Sequence, residues 1–159
     1  MTVHEIQKVD LASFCYKNKE RYPFLLESVN HNENNRYSLL FAFPWESIVL
    51  DNLSDFDFLK KLNSRCIQNN TDSELPFTGG WFVYLSYELI GQIEPVLEPS
   101  NHESNLPIAY AVKVPTVIYT DHKIGKTFLY DEEDNQSRIS QILTDLNTLE
   151  SAPNFSIKG

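Results

Sequence analysis

The chain has 159 residues, 42% of them hydrophobic and 13% aromatic, and a formal charge of −9. Its length and apolar content suit one folded domain and exclude a disordered chain, which lacks the aromatic residues to build a core. The acidic balance excludes a broad nucleic-acid or anionic-membrane surface, because phosphate binding needs clustered Lys and Arg.

The N-terminus, MTVHEIQKVDLASF, has no basic-then-apolar signal pattern. No apolar run approaches the roughly 18 residues that a membrane span needs. Cys15 and Cys66 lie far apart without metal-ligand spacing and read as free thiols in a reducing cytoplasm. The reading is therefore of a cytoplasmic protein.

After Pro23, Leu25 to Val29 form a short apolar run, and Tyr37 to Phe43 form a second. The polar cluster HNENN between them predicts a hairpin. Ser47 to Leu50 reads as a third strand. Ser54, with Asp57 three residues on, predicts a helix whose stripe is Leu59, Leu62 and Cys66 and whose end is near Gln68. Phe77-Thr78-Gly79-Gly80 opens a strand over Trp81 to Leu85, and Ser86 is placed to cap a short helix that Pro95 stops. Residues 95–107 form a polar loop. Ala109 to Tyr119 has a strand pattern with Pro115 inside it, which predicts an edge or a bulge. Asp121 to Gly125 make a hairpin turn, and Thr127 to Tyr130 return from it. Asp134 begins a last helix carrying Ile139, Ile142, Leu143, Leu146 and Leu149 at helical spacing. No repeat or low-complexity tract interrupts this order. The expected class is α+β, a mostly antiparallel sheet with about three flanking helices.

No catalytic constellation is visible. His4, His31, His102 and His122 are scattered through loops, turns and the N-terminal tail, where histidine is ordinarily solvated. There is no nucleophile elbow, no phosphate loop and no HExxH. Thr78-Gly79-Gly80 suits a tight turn or close backbone packing. Glu27 and Ser28 stand out as polar residues closing an apolar strand. Alternation turns one of them inward, where it needs a hydrogen-bond partner in the protein or in a ligand.

Four segments in order carry a resemblance. They are Tyr22-Pro23-Phe24-Leu25-Leu26-Glu27-Ser28; Arg36-Tyr37-Ser38; Leu75-Pro76-Phe77-Thr78-Gly79-Gly80 leading into Tyr84-Leu85-Ser86-Tyr87-Glu88; and Leu106-Pro107 with a strand ending in Tyr119-Thr120-Asp121-His122. From about residue 20 to residue 130 the chain resembles the N-terminal domain of component I of anthranilate synthase and aminodeoxychorismate synthase. Val83 stands where the family often has Gly, and Glu88 where it has Asp. Arg36-Tyr37-Ser38-Leu39-Leu40, and Gly80 to Leu89 followed by Glu94-Pro95, lean toward the aminodeoxychorismate type.

The resemblance implies the N-terminal half of the chorismate-utilising component I fold over residues 1–150. Residues 151–159, SAPNFSIKG, would begin a linker to a C-terminal chorismate-binding domain that this chain lacks. The whole enzyme would turn chorismate and ammonia into 4-amino-4-deoxychorismate, on the route to 4-aminobenzoate and folate, with a glutamine amidotransferase subunit and magnesium. The family's catalytic and magnesium-binding residues lie in the C-terminal domain. No catalytic residue therefore carries over, the chain alone is expected to be inactive, and no cofactor is expected on it. What carries over is one wall of a tryptophan site: Leu26, Glu27, Ser28, Arg36, Tyr37 and Ser38. Core strand pairing accounts for the same residues without a ligand. The alternatives are the regulatory N-terminal domain of anthranilate synthase component I, and a free-standing module that binds an aromatic amino acid.

Overall fold

The computed structural model describes residues 2–28, 35–66, 74–94, 96–97 and 105–149. The predicted linker at 151–159, the HNEN of the first hairpin loop, Val29, Gln68 and most of the loop at 95–107 lie outside those residues. The elements run β1 (Val3–Ile6), α1 (Leu11–Lys17), β2 (Phe24–Leu26), β3 (Tyr37–Ala42), β4 (Glu46–Leu50), α2 (Phe58–Arg65), β5 (Gly80–Leu85), a 3-10 turn (Tyr87–Leu89), α3 (Ile90–Ile93), β6 (Ala109–Val114), β7 (Thr116–Asp121), β8 (Lys126–Asp131) and α4 (Gln136–Asn147). Every pairing whose register is defined is antiparallel, and the class is α+β.

The chain forms two compact units. The larger comprises Met1–Pro44, Glu74–Gly79 and Val114–Gly159; the smaller comprises Trp45–Ser73 and Gly80–Lys113.

In the larger unit the strand order is β1-β8-β7-β3-β2. Leu40 sits opposite Ile118 and Ile118 opposite Leu129, so the three form a row on one face of the sheet. Phe14 of α1 and Ile139, Ile142 and Leu146 of α4 close over that row, and Phe14, Leu40, Ile118, Leu129 and Ile142 are fully buried. Both helices start on side-chain caps. Asp10 accepts from Ala12 N at 3.1 Å, and Asn135 accepts from Ser137 N at 3.0 Å and Arg138 N at 3.2 Å.

Two buried acids tie the helices down. Asp145 of α4 accepts from the Tyr22 hydroxyl at 2.7 Å and from Arg21 at 2.5 Å. Burial, and then Asp145, push the Tyr22 phenol well above its ordinary pKa. Asp131, at the end of β8, accepts from Arg138 at 2.7 and 2.8 Å and from the Thr116 hydroxyl at 2.5 Å. Burial alone would raise the Asp131 pKa; the bonds from Arg138, Asn135 N and Thr116 outweigh it and hold the carboxyl below the usual range.

In the smaller unit the strand order is β4-β6-β5. Ile48 and Leu50 of β4, opposite Ala111 and Ala109, meet Phe58 at the start of α2 and Leu89. Gln92 staples this unit: its amide donates to Leu53 O and Phe56 O, both at 2.7 Å, and its carbonyl accepts from Phe58 N at 3.1 Å.

Several sequence expectations change. Ala109 to Tyr119 is two strands in two sheets, with Pro115 at the passage between them. Proline has no N–H to give a ladder, so the strand breaks there; β7 beyond it lies at the centre of the larger sheet rather than at an edge or a bulge. The helix expected from Ser54 begins after Asp57, whose carboxylate accepts from Lys60 N at 2.9 Å, while Asn52 takes Ser54 in a turn. The last helix starts at Gln136, two residues later than expected, because Asp134 has φ 51° and Asn135 is the cap. β1 and α1 have no counterpart in the sequence reading, and α-helices number four among the described residues. Gly79, with φ 91°, lies against the Glu132 carboxylate: a Cβ there would come within 2.5 Å of Glu132 Oε2. The Thr78-Gly79-Gly80 motif is thus accounted for by close packing.

Candidate functional site

The six residues singled out from the sequence fall at the β2–β3 end of the larger unit. The β2–β3 ladder runs from Phe24 opposite Phe41 to Leu26 opposite Leu39. Past Leu26 the two chains stay together through side chains. Ser28 N donates to Ser38 Oγ at 3.1 Å, and the Ser28 hydroxyl donates to Tyr37 O at 2.8 Å. The polar residue flagged by alternation therefore has a protein partner, and that partner is a backbone carbonyl.

Ser38 is buried on the same face as Leu40 and Ala42. Its hydroxyl oxygen lies 2.7 Å from His122 Nε2. His122 follows directly on β7, and its backbone N–H donates to Arg36 O at 2.8 Å. The expectation of a solvated His122 is corrected here: the ring is half-buried and hydrogen-bonded, because Thr120 faces Ser38 across the ladder and His122 follows two residues later on that face.

Arg36 and Tyr37 build the other side. The Arg36 guanidinium grips Asp121 through Nε at 3.0 Å and through its terminal nitrogen at 2.5 Å, and it stacks 4.8 Å over the Tyr37 ring. Arg36 holds the Asp121 carboxyl below the usual range, and Asp121 in turn raises Arg36. Tyr37 meets Tyr119 edge-on at 6.1 Å, and Tyr119 stacks on Phe128 at 5.2 Å. Leu26 shares this aromatic face through its partner Leu39, and half of its surface is open to solvent. Glu27 is exposed.

Ser28, Arg36, Tyr37 and Ser38 thus form one connected group, with Leu26 on the aromatic face beside it. Asp121 and His122 belong to the group but had no role assigned from sequence. The hairpin turn assigned at Asp121 gave no clue to this, since it pairs β7 with β8; the separate β3–β7 register sets Asp121 opposite Tyr37. The arrangement can do two things chemically. It presents an aromatic, partly open surface beside a fixed guanidinium–carboxylate pair, and it holds a serine at a strand end. Among the described residues no three His, Cys, Asp or Glu side chains converge as a metal site. None of the described helices is long and apolar enough to cross a membrane.

No protein-family model and no curated protein matches the sequence. Among solved structures the chain is similar to anthranilate synthase component I from Streptococcus pneumoniae TIGR4, with a TM-score of 0.63 and 22% identity. The superposition covers 95% of this chain and 38% of that one, so the chain spans well under half the length of its structural neighbour. At that identity the likeness establishes the fold: this chain shares its α+β architecture with a portion of a component I protein.

Proposed function

We propose that this chain is the N-terminal, non-catalytic domain of a chorismate-utilising component I enzyme, of the aminodeoxychorismate synthase type. The observation that carries this reading is a likeness over 95% of the chain to a protein that it covers for only 38%. The ordered motifs from Tyr22 to His122 support it independently of shape. In this reading the chemistry resides in a C-terminal chorismate-binding domain, which binds magnesium and takes ammonia from a glutamine amidotransferase subunit. Magnesium there would offset the charge of a dianionic substrate. The part played by this chain is structural, and Leu26, Glu27, Ser28, Arg36, Tyr37 and Ser38 form one wall of a tryptophan site whose opposite wall comes from the catalytic domain. The exposed apolar Leu26 and the Tyr37–Tyr119 pair suit an indole, and Glu27 suits an ammonium group.

The test is the product made by the polypeptide of the complete reading frame, given chorismate, magnesium and ammonium and analysed by mass spectrometry. Aminodeoxychorismate is expected. Anthranilate would move the protein to the anthranilate synthase type. No amination of chorismate at all would remove the reading. Micromolar tryptophan binding by the present chain alone would then favour a free-standing aromatic amino-acid-binding module.

A further inference from the structure

The backbone ladder between β2 and β3 stops at the Leu26–Leu39 pair, two residues short of Ser28. What holds Ser28 beyond that point is a set of side-chain bonds. Ser28 N–H is received by Ser38 Oγ, and that same oxygen is in hydrogen-bond contact with His122 Nε2 at 2.7 Å. A serine hydroxyl carries one proton and two lone pairs. If Ser38 both accepts from Ser28 N and engages His122, its rotor is fixed, and so is the direction of the lone pair that meets the Ser28 amide. The imidazole is itself fixed at its root, because His122 N donates to Arg36 O and the preceding Asp121 is clamped by Arg36. The two arms of one hairpin and a residue 84 positions from Ser38 thus meet on one hydroxyl.

We propose that His122 is a positioning residue for Ser28, acting through Ser38 to hold the end of β2 against β3. This deepens the reading of the tryptophan half-site, on which its functional consequence rests: the Tyr37 carbonyl fixes the Ser28 hydroxyl, and the oriented Ser38 hydroxyl fixes the Ser28 backbone that carries it. His122 touches no ligand in this role. It replaces the missing rungs of the ladder with a side-chain relay.

The experiment is amide hydrogen exchange on the purified chain, read residue by residue by NMR, for wild type and for His122→Leu, His122→Gln and His122→Asn. Gln places its amide about where Nε2 stands, whereas Asn falls short of it. His122→Leu should speed exchange at Ser28 by tenfold or more and leave Leu40 and Ile118 unchanged. His122→Gln should restore the wild-type rate to within about threefold, and His122→Asn should not. Wild-type exchange at Ser28 in the Leu variant would overturn the proposal. Should that variant not fold, equal Ser28 exchange in the Gln and Asn variants would overturn it instead. Titration with L-tryptophan of the polypeptide of the complete reading frame, which supplies both walls, then separates the two ideas. Affinity about tenfold weaker in the Asn variant than in the Gln variant links the relay to the half-site. A complete wild-type polypeptide that binds no tryptophan, with Ser28 exchange in the chain still set by His122, removes the tryptophan reading and keeps the positioning role.

Discussion

The larger unit keeps its inward-facing charges in pairs: Asp131 with Arg138 and Thr116, Asp145 with Arg21 and Tyr22. Two capped helices cover one face of its five-stranded sheet. The smaller unit is organised differently. Its core is a short row of aliphatic residues around Phe58, its loops are gathered by the single amide of Gln92, and the buried Ser86 Oγ meets no partner among the described residues. Most of the large apolar side chains left in water also belong to it, with Trp45 71% exposed, Tyr87 80% and Val96 90%. A unit stitched by buried pairs and helix caps carries its own stability. A unit with a thin core and apolar side chains in water is one that gains from being covered.

The largest expected effect is on the stitched unit. Asp131→Ala leaves Arg138 facing a buried gap and should cost roughly 3–5 kcal/mol in urea denaturation. Replacing Asp131 and Arg138 together by Leu and Met should recover only part of that loss: the lone buried charge is gone, but the Thr116 hydroxyl and the Glu133 and Asn135 backbone N–H groups lose their acceptor. The same pair sets an acid limit. The folded Asp131 pKa is depressed, so its contribution is present above the unfolded Asp value near pH 4 and is lost as pH falls through the lower folded value. Asp131→Asn should therefore be less stable than wild type at neutral pH, with the gap closing only below about pH 4.

A smaller effect is expected from the staple. Gln92→Ala strands Leu53 O, Phe56 O and Phe58 N and should cost about 1–3 kcal/mol. Amide exchange should speed at Phe58 and Leu62 and remain unchanged at Ile118. Equal loosening of both units would erase the distinction drawn between them.

How much of this was legible beforehand depended on whether one local signal stood alone. The hairpin was readable because two apolar runs flank a polar turn, and that pairing placed Ser28 beside Tyr37 and Ser38. The last helix was readable from Ile139, Ile142 and Leu146, which are now its buried stripe. The passage at Pro115 was not, because apolar residues continue on both sides of it and local pattern does not reveal a change of sheet. Ser54 was read as the cap of the second helix where Asp57 holds that place, because both residue types cap well and propensity does not choose between them. β1 and α1 are too short to show a period. Within the site, His122 was invisible for a different reason: its contact with Ser38 spans 84 positions, and only the β3–β7 register creates it.

The smallest expected effect concerns the exposed apolar side chains. Tyr87→Ser removes one of the most exposed of them and should raise the monomer fraction at high concentration modestly, by light scattering. A wild-type chain that stays strictly monomeric at every concentration would count against a face that gains from cover.

Under the proposed function this chain folds and pairs its strands as a component I N-terminal domain without carrying the chemistry. That reading is tested most directly by incubating the purified chain with chorismate, magnesium and ammonium and assaying for aminodeoxychorismate and anthranilate. Neither product is expected above the protein-free control. Turnover that rises in proportion to added chain would contradict the reading.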